Sequence, residues 1–180
     1  MTSRGVVAGT LNVSLRTITP ADEPVVRAVY ASTRDAEMAI VPWDDAFKQQ
    51  FLDMQHRAQA YHYATHNPDA DYDLVLLDGE PVGRLYVDRT TEHIELLDIA
   101  LLAPYRARGI GSLLLRGLME EARREDRAVR CHVERFNRAW QLYERLGFRF
   151  LADAGMYAQL EWVPDAARVA AGDAASAGVR

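Results

Sequence analysis

The sequence predicts an α/β fold: a mixed, twisted sheet with helices on both faces, in the order β-α-α-β-β-β-α-β-α-β-β. Three observations predict this class. Segments whose apolar residues alternate, as in strands, are interleaved with segments whose apolar residues recur every three or four positions, as in helices. An Asp-Gly pair between two alternating segments marks a hairpin. The chain's 180 residues, 49% of them hydrophobic, are enough for one domain with a sizeable core.

The expected domain covers residues 11–163. Residues 1–10 and 164–180 consist mainly of small residues without large apolar anchors, so both ends are predicted to be loosely ordered. No internal repeat or low-complexity linker interrupts the part between them.

The first predicted elements are a strand and two helices. Residues 11–18 alternate as an edge strand does. A threonine, a proline and acidic residues then mark the start of a helix expected over residues 20–38. A second helix is expected over residues 44–66, where apolar side chains recur at threes and fours until an Asn-Pro turn.

An antiparallel meander should follow these helices. Residues 72–90 form two alternating segments around Asp78 and Gly79, which predicts a hairpin, and residues 92–102 supply a third strand.

The C-terminal part is predicted to hold two helices and three strands. A leucine-rich helix begins near Ile110, and residues 128–135 alternate as a strand. A short helix over residues 137–147 ends at a glycine, and residues 148–163 form a final strand pair.

Composition excludes several classes of function. The net charge of -5 argues against a protein that binds nucleic acid through bulk electrostatics. No apolar run approaches the roughly 20 residues that a membrane span needs, and no signal peptide is evident, so a cytoplasmic protein is expected. The single cysteine, Cys131, alternates with Val129 and Val133 in a predicted strand, which favours a buried structural thiol over a nucleophile.

The glycines before the leucine-rich helix carry the first functional signal. The helix N-terminus presents unpaired N–H groups and a partial positive charge, to which Arg106 and Arg108 add fixed charge. Gly109 and Gly111 would let a ligand approach the backbone, as phosphate-binding turns require. On these residues alone, a merely tight connection remains an alternative. Walker and dinucleotide-binding motifs do not fit the spacing.

Two motifs resemble those of the GNAT (GCN5-related N-acetyltransferase) superfamily. Residues 106–111, Arg-Ala-Arg-Gly-Ile-Gly, resemble its R/Q-x-x-G-x-G/A motif, and residues 137–148 resemble its second motif, with a tyrosine at position 143 and Gly-Phe at the end. The resemblance extends from about residue 15 to residue 162, and it implies a GNAT-like acyl-CoA N-acyltransferase fold.

The resemblance implies that acetyl-CoA is the cofactor. Its pyrophosphate would contact the backbone amides of the turn and the early helix, and its pantetheine arm would pair with the strand before the turn as an added strand does. Asn137 would touch the pantetheine or phosphate region, or act as a helix N-cap, or do both. The implied cofactor-binding residues are Ile99, Ala100, Leu101, Arg106, Ala107, Arg108, Gly109, Ile110, Gly111, Ser112 and Asn137.

Acetyl transfer to an amine needs a neutral nucleophile and a proton for the departing thiolate. Tyr143 stands at the family's tyrosine position and resembles the general acid, and a core-edge aromatic is its structural alternative. Glu95 lies eleven positions before Arg106, where some family members carry the base, and solvent, Asp88 or His132 are the alternatives for that role. Alternation places Glu95 and Leu97 on one face of their strand. A carboxylate there is costly unless paired or wet, and a solvated strand face is the alternative.

No metal site is expected. His62 and His66 share a helix face, but the glutamate of an HExxH motif and a third ligand are absent. The acceptor would be chosen by residues 36–47 and 152–162, which correspond to the family's specificity segments. In the first of these segments, Trp43 would either contact a cationic amine through its ring or pack in the core. The two aspartates after it would either contact the same amine or cap a helix.

The function predicted on these grounds is an acetyl-CoA-dependent N-acetyltransferase that acts on a primary amine of a small molecule or peptide. A non-catalytic acyl-CoA-binding sensor is the alternative, as is an acyltransferase that uses another acyl group or a hydroxyl acceptor. No nucleic-acid or membrane partner is expected, and a homodimer is left open.

Overall fold

The computed structural model describes residues 4–8 and 11–164. The chain divides into two compact units. The first unit holds the chain up to Asp88 together with Asp98–Gly111, and the second holds Arg89–Leu97 together with the chain from Ser112. That residues 11–163 act as one domain stays a prediction.

The strands of the first unit form an antiparallel series. They are β1 (Arg4–Ala8), β2 (Leu11–Thr17), β3 (Asp71–Leu77) and β4 (Glu80–Arg89), each paired with the next. β1 lies inside the end expected to be loosely ordered, while residues 165–180 of the other end lie outside the described residues. Asp78 and Gly79 turn between β3 and β4 at φ 53° and 86°, left-handed values that Asp-Gly tolerates, so the hairpin is confirmed.

The helix expected over residues 20–38 is interrupted, and that prediction was wrong in its continuity. A 3₁₀ turn (Pro20–Asp22) precedes α1 (Glu23–Thr33), and α2 (Asp35–Ile40) follows a break at Arg34, which has φ −106° and ψ 4°. The hydroxyl of Thr33 donates to the carbonyl oxygen of Tyr30 at 2.7 Å. Such local bonds from threonine compete with the helical ladder, which accounts for the break.

The long third helix is as predicted. α3 (Asp45–His66) is capped by Asp44, whose carboxylate accepts the backbone N–H of Phe47 at 2.8 Å. Asp44 therefore takes the helix-cap role of its two alternatives.

The second unit contains a parallel pair beside antiparallel pairs. β5 (His93–Leu101) pairs in parallel with β6 (Ala128–Glu134) over His93–Leu96. β8 (Tyr157–Trp162) pairs antiparallel with both β6 and β7 (Arg149–Ala154). These strand directions confirm the predicted mixed α/β class.

Two helices accompany the strands of the second unit. α4 (Ile110–Glu125) connects β5 to β6, as a parallel pair requires. α5 (Trp140–Arg145) is shorter than expected, because the Asn137 side chain accepts the N–H of Ala139 at 2.9 Å and holds a turn before the helix. Gly147 follows α5 at φ 90°, as the C-terminal signal predicts.

The entry to α1 depends on one carboxylate. Asp22 accepts both Arg16 amino groups at 2.7 and 3.0 Å, and the backbone N–H and hydroxyl of Thr19 at 2.8 and 2.7 Å. The bond to Arg16 and those to Thr19 lower the pKa of Asp22 well below its usual range. A carboxylate with a lowered folded-state pKa stabilises the fold above its unfolded pKa and ceases to do so at lower pH.

We therefore expect Asp22→Asn to reduce the free energy of unfolding by about 1–2 kcal/mol at pH 7. The difference between the parent and the variant should shrink as the pH falls below about 4, the ordinary range of an unfolded aspartate. Urea unfolding at pH 7, 5 and 3 measures it. The exposed Asp35→Asn is the control and should cost little at any pH, and a pH-independent loss in Asp22→Asn would contradict the prediction.

Candidate active site

Residues 106–111, which lead into α4 and include its first two residues, are called here the glycine turn. Within it Ala107 has φ 57° and Gly109 has φ 87°, and the residues from 106 to 109 are exposed. Among the described residues, the backbone N–H groups of Ala107, Arg108 and Gly109 donate no hydrogen bond. The first N–H groups of α4 add further donors, since they have no acceptor within the helix. The turn thus presents a run of amides at a helix N-terminus, where an anion binds favourably.

The space around the turn suits a backbone-mediated contact. A Cβ added to Gly109 would meet nothing nearer than the Leu11 side chain at 4.0 Å. The side chain of Ile110 is fully buried, so only its backbone can face a ligand. Gly111 and Ser112 lie in the first turn of α4 and are half-buried.

The two arginines of the turn contact groups of the protein itself. The guanidinium of Arg106 donates to the carbonyl oxygen of Leu101 at 2.8 Å and to the carbonyl and hydroxyl oxygens of Ser32 at 2.7 and 2.6 Å. Arg106 thereby fastens the glycine turn to the end of α1. Arg108 lies over the ring of Tyr105, 5.5 Å from its centroid.

The later part of β5 holds the residues expected to pair with a pantetheine arm. Ile99–Leu101 lie beyond the ladder with β6, which ends at Leu96. On the β4 side, a Cβ added to Gly83 would come within 2.3 Å of the Ala100 carbonyl oxygen. Position 83 therefore needs glycine, because the two strands approach closely there.

Within the first unit, the buried Arg84 of β4 pairs with the half-buried Asp98 of β5. Arg84 is 2% exposed and donates to Asp98 at 2.6 Å and to Gln59 at 2.8 Å. Its guanidinium carbon also lies 5.7 and 5.1 Å from the ring centroids of Tyr30 and Tyr86. Burial raises the pKa of Asp98, and the charge of Arg84 opposes the rise. The guanidinium of Arg84 is thus surrounded by a carboxylate, an amide and two aromatic rings.

Glu95 lies in the second unit, on the earlier part of β5. Its neighbours Ile94 and Leu96 are buried whereas Glu95 and Leu97 are half-buried, so the alternation expected of this strand is present. One carboxylate oxygen lies 3.1 Å from Nδ1 of His132 and the other lies 3.2 Å from Nε2 of His93. The carboxylate is therefore held between two imidazoles.

His93 was not predicted as a partner of Glu95. The signal was present, because residues two apart on a strand share a face. His132 is on the neighbouring strand, one residue past Cys131, where the β5–β6 ladder ends.

Tyr143 is buried on α5 in the second unit. Its ring packs edge-on against Phe148 with centroids 5.3 Å apart, and its hydroxyl hydrogen-bonds to Cys131. Burial and the nearby charge of Glu95 raise the pKa of Cys131 to about 12, although the bond from Tyr143 acts to lower it. Cys131 is 1% exposed, as a structural thiol would be. Asn137 is exposed in the turn before the same helix.

The segments expected to choose the acceptor are exposed. Trp43 is 39% exposed, with its ring centroid 4.8 and 5.3 Å from those of Phe47 and Phe51. In the other segment, Met156 and Tyr157 are exposed at the turn between β7 and β8.

Across residues 4–8 and 11–164, no group of three or more His, Cys, Asp or Glu side chains could hold a metal ion. Nor is any helix in that part of the chain long and apolar enough to cross a membrane.

A mixed α/β fold with open amides at a helix N-terminus after a strand is typical of an enzyme that binds a phosphate-containing cosubstrate. Residues 29–148, which are 120 of the 180 residues, match the acetyltransferase (GNAT) family. The chain belongs to this family, whose cosubstrate is acetyl-CoA. The family, fold and cosubstrate implied by the two motifs are therefore confirmed. No curated protein matches the sequence significantly.

Solved structures share the fold at low sequence identity. A PaiA N-acetyltransferase from Thermoplasma acidophilum, in complex with coenzyme A, is 17% identical with a TM-score of 0.65, over 85% of this chain and 99% of that one. An acetyltransferase from Thermus thermophilus is 20% identical with a TM-score of 0.60, over 89% of this chain and 100% of that one. RimL, a ribosomal L7/L12 alpha-N-protein acetyltransferase in complex with coenzyme A, is 15% identical with a TM-score of 0.61, over 91% of this chain and 99% of that one.

The buried thiol gives a chemical prediction. Because the thiolate is the reactive form and burial disfavours it, iodoacetamide at pH 8 should label Cys131 of the native protein at least about 100-fold more slowly than that of the urea-unfolded protein. Mass spectrometry of timed samples measures the two rates. Rapid stoichiometric labelling of the native protein would contradict the burial of this thiol.

Proposed function

We propose that the protein is an N-acetyltransferase that moves an acetyl group from acetyl-CoA to a primary amine of a small molecule or peptide, by direct attack of the amine. The observation that carries this proposal is the run of unpaired backbone N–H groups in the glycine turn, within the described part of a chain that belongs to the GNAT family. Two structural relatives act on amines by name, one as an N-acetyltransferase and one as an alpha-N-protein acetyltransferase. A cytoplasmic location stays a prediction from the single cysteine and the sequence pattern.

The residues proposed to hold acetyl-CoA act mainly through the backbone. The amides from Ala107 to Ser112 would bind the pyrophosphate, with Arg108 adding positive charge nearby. Arg106 would act indirectly, because its guanidinium fastens the turn to Ser32. The backbone of Ile99–Leu101 would pair with the pantetheine arm. Asn137 would contact the pantetheine or phosphate region, as the family resemblance implies.

Acetyl-CoA supplies an acetyl thioester, whose acetyl group passes to the amine nitrogen while the thiol departs. The Tyr143 hydroxyl is proposed to hold the proton that the departing sulfur takes. The ring packs edge-on against Phe148, which would hold the hydroxyl at one place. To serve the departing sulfur, the hydroxyl would give up its bond to Cys131. Glu95 is proposed to promote loss of the amine proton, and its low exposure beside two imidazoles supports a functional role over a solvated strand face.

The glycine turn can be tested by binding. We expect acetyl-CoA to raise the melting temperature of the parent, since it should bind only the folded state. Gly109→Asp should abolish that rise, because it places a negative charge where the phosphates are proposed to bind. Gly79→Asp is the matched control: it has nearly the same φ, 86° against 87°, and also has open space around it, but it lies in the β3–β4 turn.

Differential scanning fluorimetry with and without acetyl-CoA measures both variants. Gly79→Asp should keep the full rise, although its melting temperature in the absence of ligand should fall, as that of Gly109→Asp should. A folded Gly109→Asp variant with a normal rise would remove the turn from the phosphate site.

The proposed general-acid role of Tyr143 can be tested by removing its hydroxyl group. Tyr143→Phe keeps the ring and its packing, so folding and acetyl-CoA affinity should change little. Loss of a positioned acid should lower kcat by about 10²–10⁴-fold, with the lower end expected since a thiolate can leave unassisted. Steady-state thiol release with the best amine from a panel, alongside acetyl-CoA titration, measures both effects.

A Tyr143→Phe variant within about twofold of the parent, with chemistry shown to limit the rate, would remove the acid role. A parent that binds acetyl-CoA but releases thiol with no amine in a broad panel would overturn the enzyme proposal in favour of a binding module.

A further inference from the structure

Glu95 and its two histidines form a cluster whose members differ in exposure. The side chain of Glu95 is 13% exposed, that of His93 is 18% exposed and that of His132 is 46% exposed. Each carboxylate oxygen already lies near an imidazole nitrogen, so Glu95 is poorly placed to take a proton from a third group. The exposed member of the cluster is His132.

The contact with Glu95 fixes the tautomer of His132. An ionised carboxylate accepts hydrogen bonds and cannot donate them, so Nδ1 of His132 must carry the proton in the 3.1 Å contact. In the neutral ring the lone pair is then on Nε2, for which the described residues provide no hydrogen bond. A carboxylate that orients an imidazole in this way prepares the other nitrogen to accept a proton.

The position of His132 also leaves its ring accessible to a substrate amine. The ladder between β5 and β6 ends at Cys131, and His132 is the next residue on β6. Beyond this point, among the described residues, β6 pairs with β8, where Gln159 lies opposite His132. The imidazole thus stands at the place in the second unit where the parallel pairing stops, with nearly half of its surface open.

Apart from Glu95, the charged groups near His132 lie on β6, two residues before it and two residues after it. Arg130, two residues earlier on the same face of β6, pairs with Glu161 of β8 at 2.9 Å. Glu134 lies two residues later on that face, opposite Tyr157 of β8. On β5 the facing groups are the carboxylate of Glu95 and, behind it, His93.

We infer that His132 is the catalytic base of the proposed transfer, with Nε2 accepting the amine proton, and that Glu95 is a positioning residue that acts through His132. In the step, a nitrogen–hydrogen bond of the substrate ammonium breaks, its electron pair stays on nitrogen, and the proton passes to Nε2. The neutral amine so formed uses that pair to attack the thioester carbonyl carbon, and the carbon–sulfur bond breaks as the thiol departs. The imidazolium then returns the proton to solvent. This inference rests on the proposed function and specifies how Glu95 contributes to it.

The first test compares His132→Gln and Glu95→Gln with the parent, using thiol release from acetyl-CoA with the best amine. His132→Gln should lower kcat/KM for the amine about 10²-fold at pH 7 and leave acetyl-CoA affinity unchanged. The loss should shrink as the pH rises towards the amine's own pKa of about 10, where the amine needs no base. The exposed His62→Gln, on α3, is the control and should match the parent.

Two further measurements separate a base from a structural role. Added imidazole should restore part of the activity of His132→Ala, and it should not restore that of Tyr143→Phe. The double variant His132→Gln with Glu95→Gln should be no slower than His132→Gln alone, because Glu95 acts through the same ring. An additional loss in the double variant, as large as that of Glu95→Gln alone, would show that Glu95 acts independently and would overturn the inference.

The tautomer can be read without turnover. Two-dimensional ¹H–¹⁵N NMR of the ring nitrogens, recorded where the His132 ring is neutral, should show the Nδ1–H tautomer in the parent and its loss in Glu95→Ala, which has no side-chain acceptor for that proton. The Nε2–H form in the parent would overturn the inference. So would a His132→Gln variant within threefold of an active parent with the same pH profile, an outcome that leaves the acetyltransferase proposal intact. A parent inactive with every amine would overturn both.

Discussion

A carboxylate that folding removes from water must be given a partner, and β5 carries two such groups. Asp98 is compensated by the guanidinium of Arg84 at 2.6 Å, and Glu95 lies between the imidazoles of His93 and His132. Because both carboxylates are on one strand, the neighbouring residues that satisfy them are fixed in place as well. The arrangement of the candidate site follows from that requirement.

The partners of the two carboxylates differ in the chemistry that they allow. An arginine side chain keeps its charge at any ordinary pH, so the pair of Arg84 and Asp98 is permanent and serves the packing of the first unit. Imidazole can both accept and donate a proton, so the partners of Glu95 are of a kind that takes part in proton transfer. Proton transfer therefore fits the imidazoles beside Glu95 better than the pair of Arg84 and Asp98, although burial perturbs the pKa of Asp98.

The glycine turn could be predicted because its role is carried by the backbone. Glycines, a strand end and a helix start are local features of the sequence, and the observed φ of 87° at Gly109 favours that residue type. The partner of Arg106 could not be predicted, since its guanidinium reaches Ser32, 74 residues away in sequence. A long side chain finds its acceptor only when tertiary structure brings one within reach. Helices and strands were likewise predictable where local signals agreed, as in α3 and the β3–β4 hairpin.

The surroundings of Glu95 show where sequence pattern stops being informative. Alternation predicts the face on which Glu95 lies, but the register of β6 decides which of its residues comes next to it. That register depends on the crossover through α4, and no local signal in β6 specifies it. In the observed register Glu95 is level with Arg130, the obvious partner by charge. Arg130 instead pairs with Glu161 on β8, which leaves the carboxylate to the histidines. A residue on β8 thus determines whether Glu95 is neutralised by a fixed charge or by groups that can exchange a proton.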